Sequence, residues 1–151
     1  MSKIKLSDPL ETMEIGEGNY TRVVTRIKHL DNFTYSLTTK ATFIVPLNGW
    51  QVEANLKVYE DGKIFRESSG NACEVIGSSG INLTNALENA ETSAVGRACA
   101  FAGIGINTDI ASADEVQGAK EKIGGAKSNQ RKNLGKAAED KALEKLTGKG
   151  K

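Results

Sequence analysis

Residues 83–103 read LTNALENAETSAVGRACAFAG, and the fold turns on how this stretch is read. A spacing of four puts Ala86, Ala90, Ala94, Ala98 and Ala102 on one line. Leu83, Leu87, Glu91, Val95 and Cys99 fall on the line beside it. That periodicity is helical, and a row of methyl groups lets a helix axis come close to a sheet. Asn82 suits an N-cap and Gly103 a stop, so the pattern predicts one long helix from Leu83 to about Ala102. Its other side carries Asn85, Asn89, Ser93 and Arg97 and is left available for contact.

Upstream the period is two. Thr21 to Leu30 alternates, with Val23, Thr25 and Ile27 on one face and Arg22, Val24, Arg26 and Lys28 on the other, which predicts a strand. Asp31-Asn32 supplies a turn. A second strand is expected from about Thr34 to Leu47, and Asn48-Gly49 is a strong hairpin signal. A third runs from Trp50 to Tyr59, and beyond Asp61-Gly62 a return strand begins over Lys63 to Glu67. Downstream, Ser112-Ala-Asp-Glu115 fits a capping box and predicts a second helix. The expected fold is α+β: antiparallel strands, three or four in number, followed by one long helix packed across them. Residues 1–18 read as a loosely ordered, acid-rich lead-in, 19–123 as one domain, and 124–151 as a flexible basic tail. Within that tail, Lys136 to Leu146 is too short to hold a helix alone.

The chain has 151 residues, 38% of them hydrophobic and 26% charged, which is ordinary for a soluble domain with a real core. No run approaches the roughly 18–20 apolar residues needed to cross a bilayer. With no signal region at Met1, a cytoplasmic protein is expected, in a host cytoplasm if it is phage-encoded. Cys73 and Cys99 lie in no Cys-x-x-Cys pair and read as small buried side chains in a reducing compartment. The net charge of +1 hides a split. Residues 1–116 hold ten Lys/Arg against fifteen Asp/Glu, whereas 117–151 hold ten against four. Such a tail is either a solvated end or an arm that keeps a polyanion nearby.

No catalytic or cofactor motif is present. Gly103-Ile-Gly105 follows a helix and reads as its cap rather than a phosphate cradle. His29 has no evident partner. Asp109, Asp114 and Glu115 read as caps and dipole partners more naturally than as a metal site. No catalytic residue, metal or cofactor is therefore expected. Cations are more suggestive. Arg22, Arg26 and Lys28 on one strand face would fall at one or two steps of about 6–7 Å along the chain, a step close to the phosphate spacing of an extended single strand. An ordinary solvated face is the plain alternative. Lys40, Lys63 and Arg66 sit near the same sheet or its turns. Arg97 has no acidic neighbour at helical spacing, so it either reaches solvent or awaits a phosphate. Tyr20, Phe33 and Tyr35 border the first hairpin, with packing and base stacking both open to them.

Two segments resemble a known family. The stretch Tyr59-Glu-Asp-Gly-Lys-Ile-Phe-Arg-Glu-Ser-Ser-Gly70, then Leu83 to Gly103 with its Glu91-Thr-Ser-Ala-Val-Gly-Arg-Ala98, is similar to single-strand annealing proteins of the Rad fifty-two superfamily. Their phage members include the essential recombination function and Sak groups. Ile110-Ala-Ser-Ala-Asp-Glu-Val116 also resembles text common after that helix, so residues 20–116 are covered. The resemblance implies a β-β-β-α core, a homo-oligomeric ring or filament, and single-stranded DNA held in a positive groove for annealing. It also implies candidate partners in a phage exonuclease or a host single-stranded-DNA-binding protein. Arg97 falls where the family places a helix cation that contacts the DNA backbone. Gly96 and Ala100 depart from positions often basic in cellular relatives, and their N-terminal helical region is largely absent. An OB-type protector of single strands and a non-nucleic-acid oligomeric phage module are the rival readings.

Overall fold

The computed structural model describes residues 4–78, 81–106, 111–117, 119 and 120. The tail assigned to 124–151 and Asp109 lie outside the described residues. A small hairpin of β1 (Met13–Ile15) and β2 (Gly18–Tyr20) leads into α1 (Val23–Leu30). Then come β3 (Thr34–Ile44), β4 (Gly49–Glu60) and β5 (Lys63–Val75), an antiparallel meander in the order β3-β4-β5. The long helix α2 (Ala86–Phe101) packs against this sheet, so the α+β architecture stands as expected.

β4 carries the core. Its residues alternate, and Val52, Ala54, Leu56 and Val58 are all but fully buried beneath α2, while Gln51, Glu53 and Asn55 face outward. The alanine row does what its spacing implies: Ala86, Ala90, Ala94, Ala98 and Ala102 are all buried. Gly70 meets that row on β5. A Cβ at this position would stand 2.2 Å from the Ala94 carbonyl oxygen, so only a hydrogen fits between strand and helix. Both hairpin turns use left-handed residues at the expected sites: Asn48 (φ 47°), then Asp61 (φ 51°) and Gly62 (φ 73°). A 3₁₀ turn at Val45–Leu47, set by Pro46, ends β3 earlier than expected.

α2 begins later than its sequence suggests, after a 3₁₀ turn over Ile81–Leu83, because Asn82 is used elsewhere. Its side chain is buried and donates to Glu74 Oε2 (2.6 Å) and Ser78 Oγ (2.8 Å) rather than capping the helix. The C-terminus closes in a Schellman motif at Gly103 (φ 96°). Gly103 N–H donates to Ala100 O (2.8 Å) and Ile104 N–H to Cys99 O (3.0 Å), with Ile104 and Cys99 both buried. The capping box also forms, Ser112 N–H donating to Glu115 Oε2 (2.9 Å) and Glu115 N–H to Ser112 Oγ (3.2 Å), ahead of a helical segment over 113–117.

One element differs in kind. The segment expected as a strand from Thr21 to Leu30 is helix α1. Val23, Arg26, Ile27 and Leu30 stand at i, i+3, i+4 and i+7 and turn toward the core, so the same residues satisfy both periods. Burial decides between them: α1 inserts against α2, where Gly96 leaves room for Val23. Its first turn is capped from a distance, Val23 N–H donating to Asp114 Oδ2 (2.9 Å). The lead-in also contributes to the core, because Leu6 is buried there.

Candidate nucleic-acid interface

The seven cations singled out in the sequence fall into three groups. Arg26 is not at a surface. It is fully buried, Nη1 donating to Gly96 O (2.7 Å) and Nη2 to Gly105 O (3.3 Å), so it ties α1 to α2 and to the loop after it. Desolvation lowers its pKa from the usual arginine value, partly offset by the thiol of Cys99 and the carboxylates of Glu115 and Asp114. The helix fold of α1 also cancels the proposed ladder of three cations, since Arg22 at the N-cap and Lys28 are exposed while Arg26 points inward.

Arg97 has an acidic partner after all. Its Nη2 lies 2.8 Å from Glu115 Oε1, its Nε donates to the same oxygen at 2.8 Å, and its Nη1 donates to the Asn71 carbonyl. Glu115 is eighteen residues away, beyond any helical spacing, and only the chain reversal after α2 brings it near. Arg97 therefore joins β5, α2 and the 113–117 segment, with its side chain 42% exposed. Asn89, on the same side of the helix, is likewise engaged, donating to Asn82 Oδ1 (2.6 Å). On the helix side expected to be open for contact, Asn89 and Arg97 thus hold the molecule together, while Asn85 is exposed.

The remaining cations are exposed. Lys40 stands on the outer face of β3, directly opposite Glu53 of β4. Lys63 and Arg66 both follow the β4–β5 turn on β5, and beside Arg66 the structure assembles something the sequence did not single out. A cavity of about 460 Å³ opens where the N-terminal segment, the start of β3, the β4–β5 turn and the end of α2 meet. Phe33, Tyr59 and Phe65 line it together with Val58 and Ala102, and Lys5 and Arg66 bring positive charge. Glu60 lines it too. Its size suits a small ligand or a single base, and its wall is largely apolar.

A β-bulge shapes this site. Val58 pairs with Arg66 but Tyr59 pairs with Ile64, so Phe65 is the extra residue in β5. Bulges bend a strand and re-aim its side chains. Here Phe65 is left 54% exposed, with the Arg66 guanidinium carbon 6.0 Å from its ring centroid. Phe33 is braced from behind by the ring of His29 (5.5 Å between centroids), and His29 is fixed by a hydrogen bond between its Nε2 and Lys5 O (3.0 Å). Of the aromatics proposed for stacking, Phe33 thus reaches the cavity; Tyr35 packs beside the core and Tyr20 belongs to β2. Lys5 was missed altogether, because only the folded lead-in carries it there. An aromatic adjoining a cation in the Ile64-Phe-Arg66 run was the one available hint.

Among the described residues no cluster of His, Cys, Asp or Glu is placed to hold a metal ion, and no helix is long and apolar enough to cross a membrane. Cys73 is exposed rather than buried, whereas Cys99 is buried as expected and burial pushes its thiol up to about 11. No family model, curated protein or solved structure matches the chain.

Proposed function

We propose that this protein binds single-stranded DNA and anneals complementary strands in homologous recombination, without ATP, as a homo-oligomer and without covalent catalysis. One observation carries the reading: Lys5 and Arg66 converge on a cavity walled by Phe33, Tyr59 and Phe65. A base entering the cavity leaves water for aromatic surface, and its phosphate remains at the rim beside guanidinium and ammonium groups. Anchoring one nucleotide per subunit extends the strand and leaves its neighbours exposed. Phosphate and stacking contacts carry no sequence information, so complementarity is tested by base pairing itself. The order of three antiparallel strands followed by a helix is the architecture that the Rad fifty-two resemblance implies, which supports the annealing half of the proposal.

The rival OB protector calls for a five-stranded barrel, and the larger sheet among the described residues has three strands. An annealing assay separates the two functions. Two complementary oligonucleotides of about 40 nucleotides, a length able to span several binding sites, are mixed with the full chain and no nucleotide. Faster duplex formation is the expected result. Binding that slows duplex formation points to a protector, and an absence of binding at low salt removes nucleic acid from the account.

A further inference from the structure

β3 is an edge strand with little to guard it. Eleven residues, Thr34–Ile44, pair with β4 in unbroken register, and among the described residues no strand pairs with the other side of β3. Edge strands are ordinarily protected by proline, bulges or charge, because a row of open N–H and C=O groups recruits another strand. β3 contains no proline and no bulge, and Lys40 is its single charge. The opposite edge differs: on β5, Arg97 already occupies the Asn71 carbonyl. α2 lies mainly over β4 and β5 and touches β3 on its inner face, where Thr39 Oγ1 donates to Glu91 Oε1, rather than along its outer backbone edge.

The residues of β3 also match their own reverse. If two copies run antiparallel about Thr39, Tyr35 falls opposite Phe43, Ser36 opposite Thr42, Leu37 opposite Ala41, and Thr38 opposite Lys40. Aromatic meets aromatic, hydroxyl meets hydroxyl and aliphatic meets aliphatic, the pairings that stabilise neighbouring strands. Every pair joins residues of the same pleat face, so Tyr35, Leu37, Ala41 and Phe43 of both copies remain together on the inner face of the sheet, where Ala41 and Phe43 are exposed in the single chain. A slip of one residue in each strand, centring the pair on Lys40, would set two ammonium groups opposite each other. The Thr39 register avoids this.

We infer that a second copy of this chain docks on β3, pairing the two strands antiparallel about Thr39 into one continuous six-stranded sheet. The interface is isologous, the same strand serving both partners. It gives the homo-oligomer of the proposed function a defined contact, and it rests on that part of the reading alone, not on DNA.

The test uses the full chain without nucleic acid. In a Cys73→Ser background, Thr39→Cys should form a disulfide-linked dimer on mild oxidation, since facing Cα atoms about 4.5–5.5 Å apart lie within disulfide reach. Asn55→Cys, on the central strand, should not. By sedimentation, Thr38→Lys should raise the dimer dissociation constant several-fold by facing Lys40 of the other copy, and adding Lys40→Glu should restore it. A monomer at all concentrations, a dimer indifferent to Thr38→Lys, or a Thr39→Cys chain that does not crosslink overturns the inference. A monomer that still binds single strands would leave the cavity proposal intact, and a crosslinked dimer that ignores DNA would do the reverse.

Discussion

Arg26 shows how a side chain that looks like a ligand-binding group can be structural. Buried with its guanidinium on two backbone carbonyls, it can be replaced only by leaving those acceptors unsatisfied. Arg26→Met should therefore cost about 2–4 kcal/mol of stability, read from urea midpoints, while the folded variant binds single strands as the parent does. A loss of DNA affinity with unchanged stability would return Arg26 to the binding surface. Its neighbour Cys99 gives a pH signature. The thiol ionises at about 11 in the fold against an ordinary 9.0, chiefly through burial. Below pH 9 both states keep the proton and the full contribution is present. Between pH 9 and 11 the unfolded chain releases it first, and stability falls by ~2–3 kcal/mol. Denaturation midpoints of the parent should thus drop more steeply over that window than those of Cys99→Ala. Parallel slopes would mean the thiol is not held neutral.

Among the elements, β5 and α2 approach closely, and Gly70 controls the contact. Gly70→Ala drives a methyl group into the Ala94 carbonyl, so strand and helix must separate, and a loss of about 1–3 kcal/mol or more is expected in thermal melts. Neutral behaviour would show that the two elements have slack. The same contact explains what could be read beforehand. The alanine row, β4's alternation and the Asp61-Gly62 turn are local signals, each written within one element, and all of them formed. α1 misled because Val23, Arg26, Ile27 and Leu30 fit a helical face while their neighbours alternate, and only burial against α2 selects between the two periods. Arg97 meets Glu115, and Phe33 and Arg66 come to line one cavity, through tertiary approach. No spacing within an element could announce those pairs: Arg26 and Arg97 are ties, Arg22 and Lys28 are exposed at α1, and of Lys40, Lys63 and Arg66 the cavity takes in Arg66.

At the scale of the whole molecule, the fold separates its tasks. α2 and the inner face of the sheet hold the core, the free edge of β3 offers a second copy a strand to pair with, and the cavity at the β4–β5 turn gathers cations beside aromatic rings. Affinity for a single strand should then depend on the rim of that cavity and not on Lys40 or Arg26. The most direct measurement is a binding titration of a labelled oligothymidylate at several salt concentrations, comparing the parent with Phe65→Ala and Arg66→Ala. Phe65 is exposed and outside the buried core, so its loss should weaken binding by ~1–3 kcal/mol without altering the melt. Arg66→Ala should weaken binding mainly at low salt and flatten the log–log salt slope by about 0.7, the share of one phosphate contact. If both variants bind with the parent's affinity and salt slope while remaining folded, the cavity is not where this protein holds DNA.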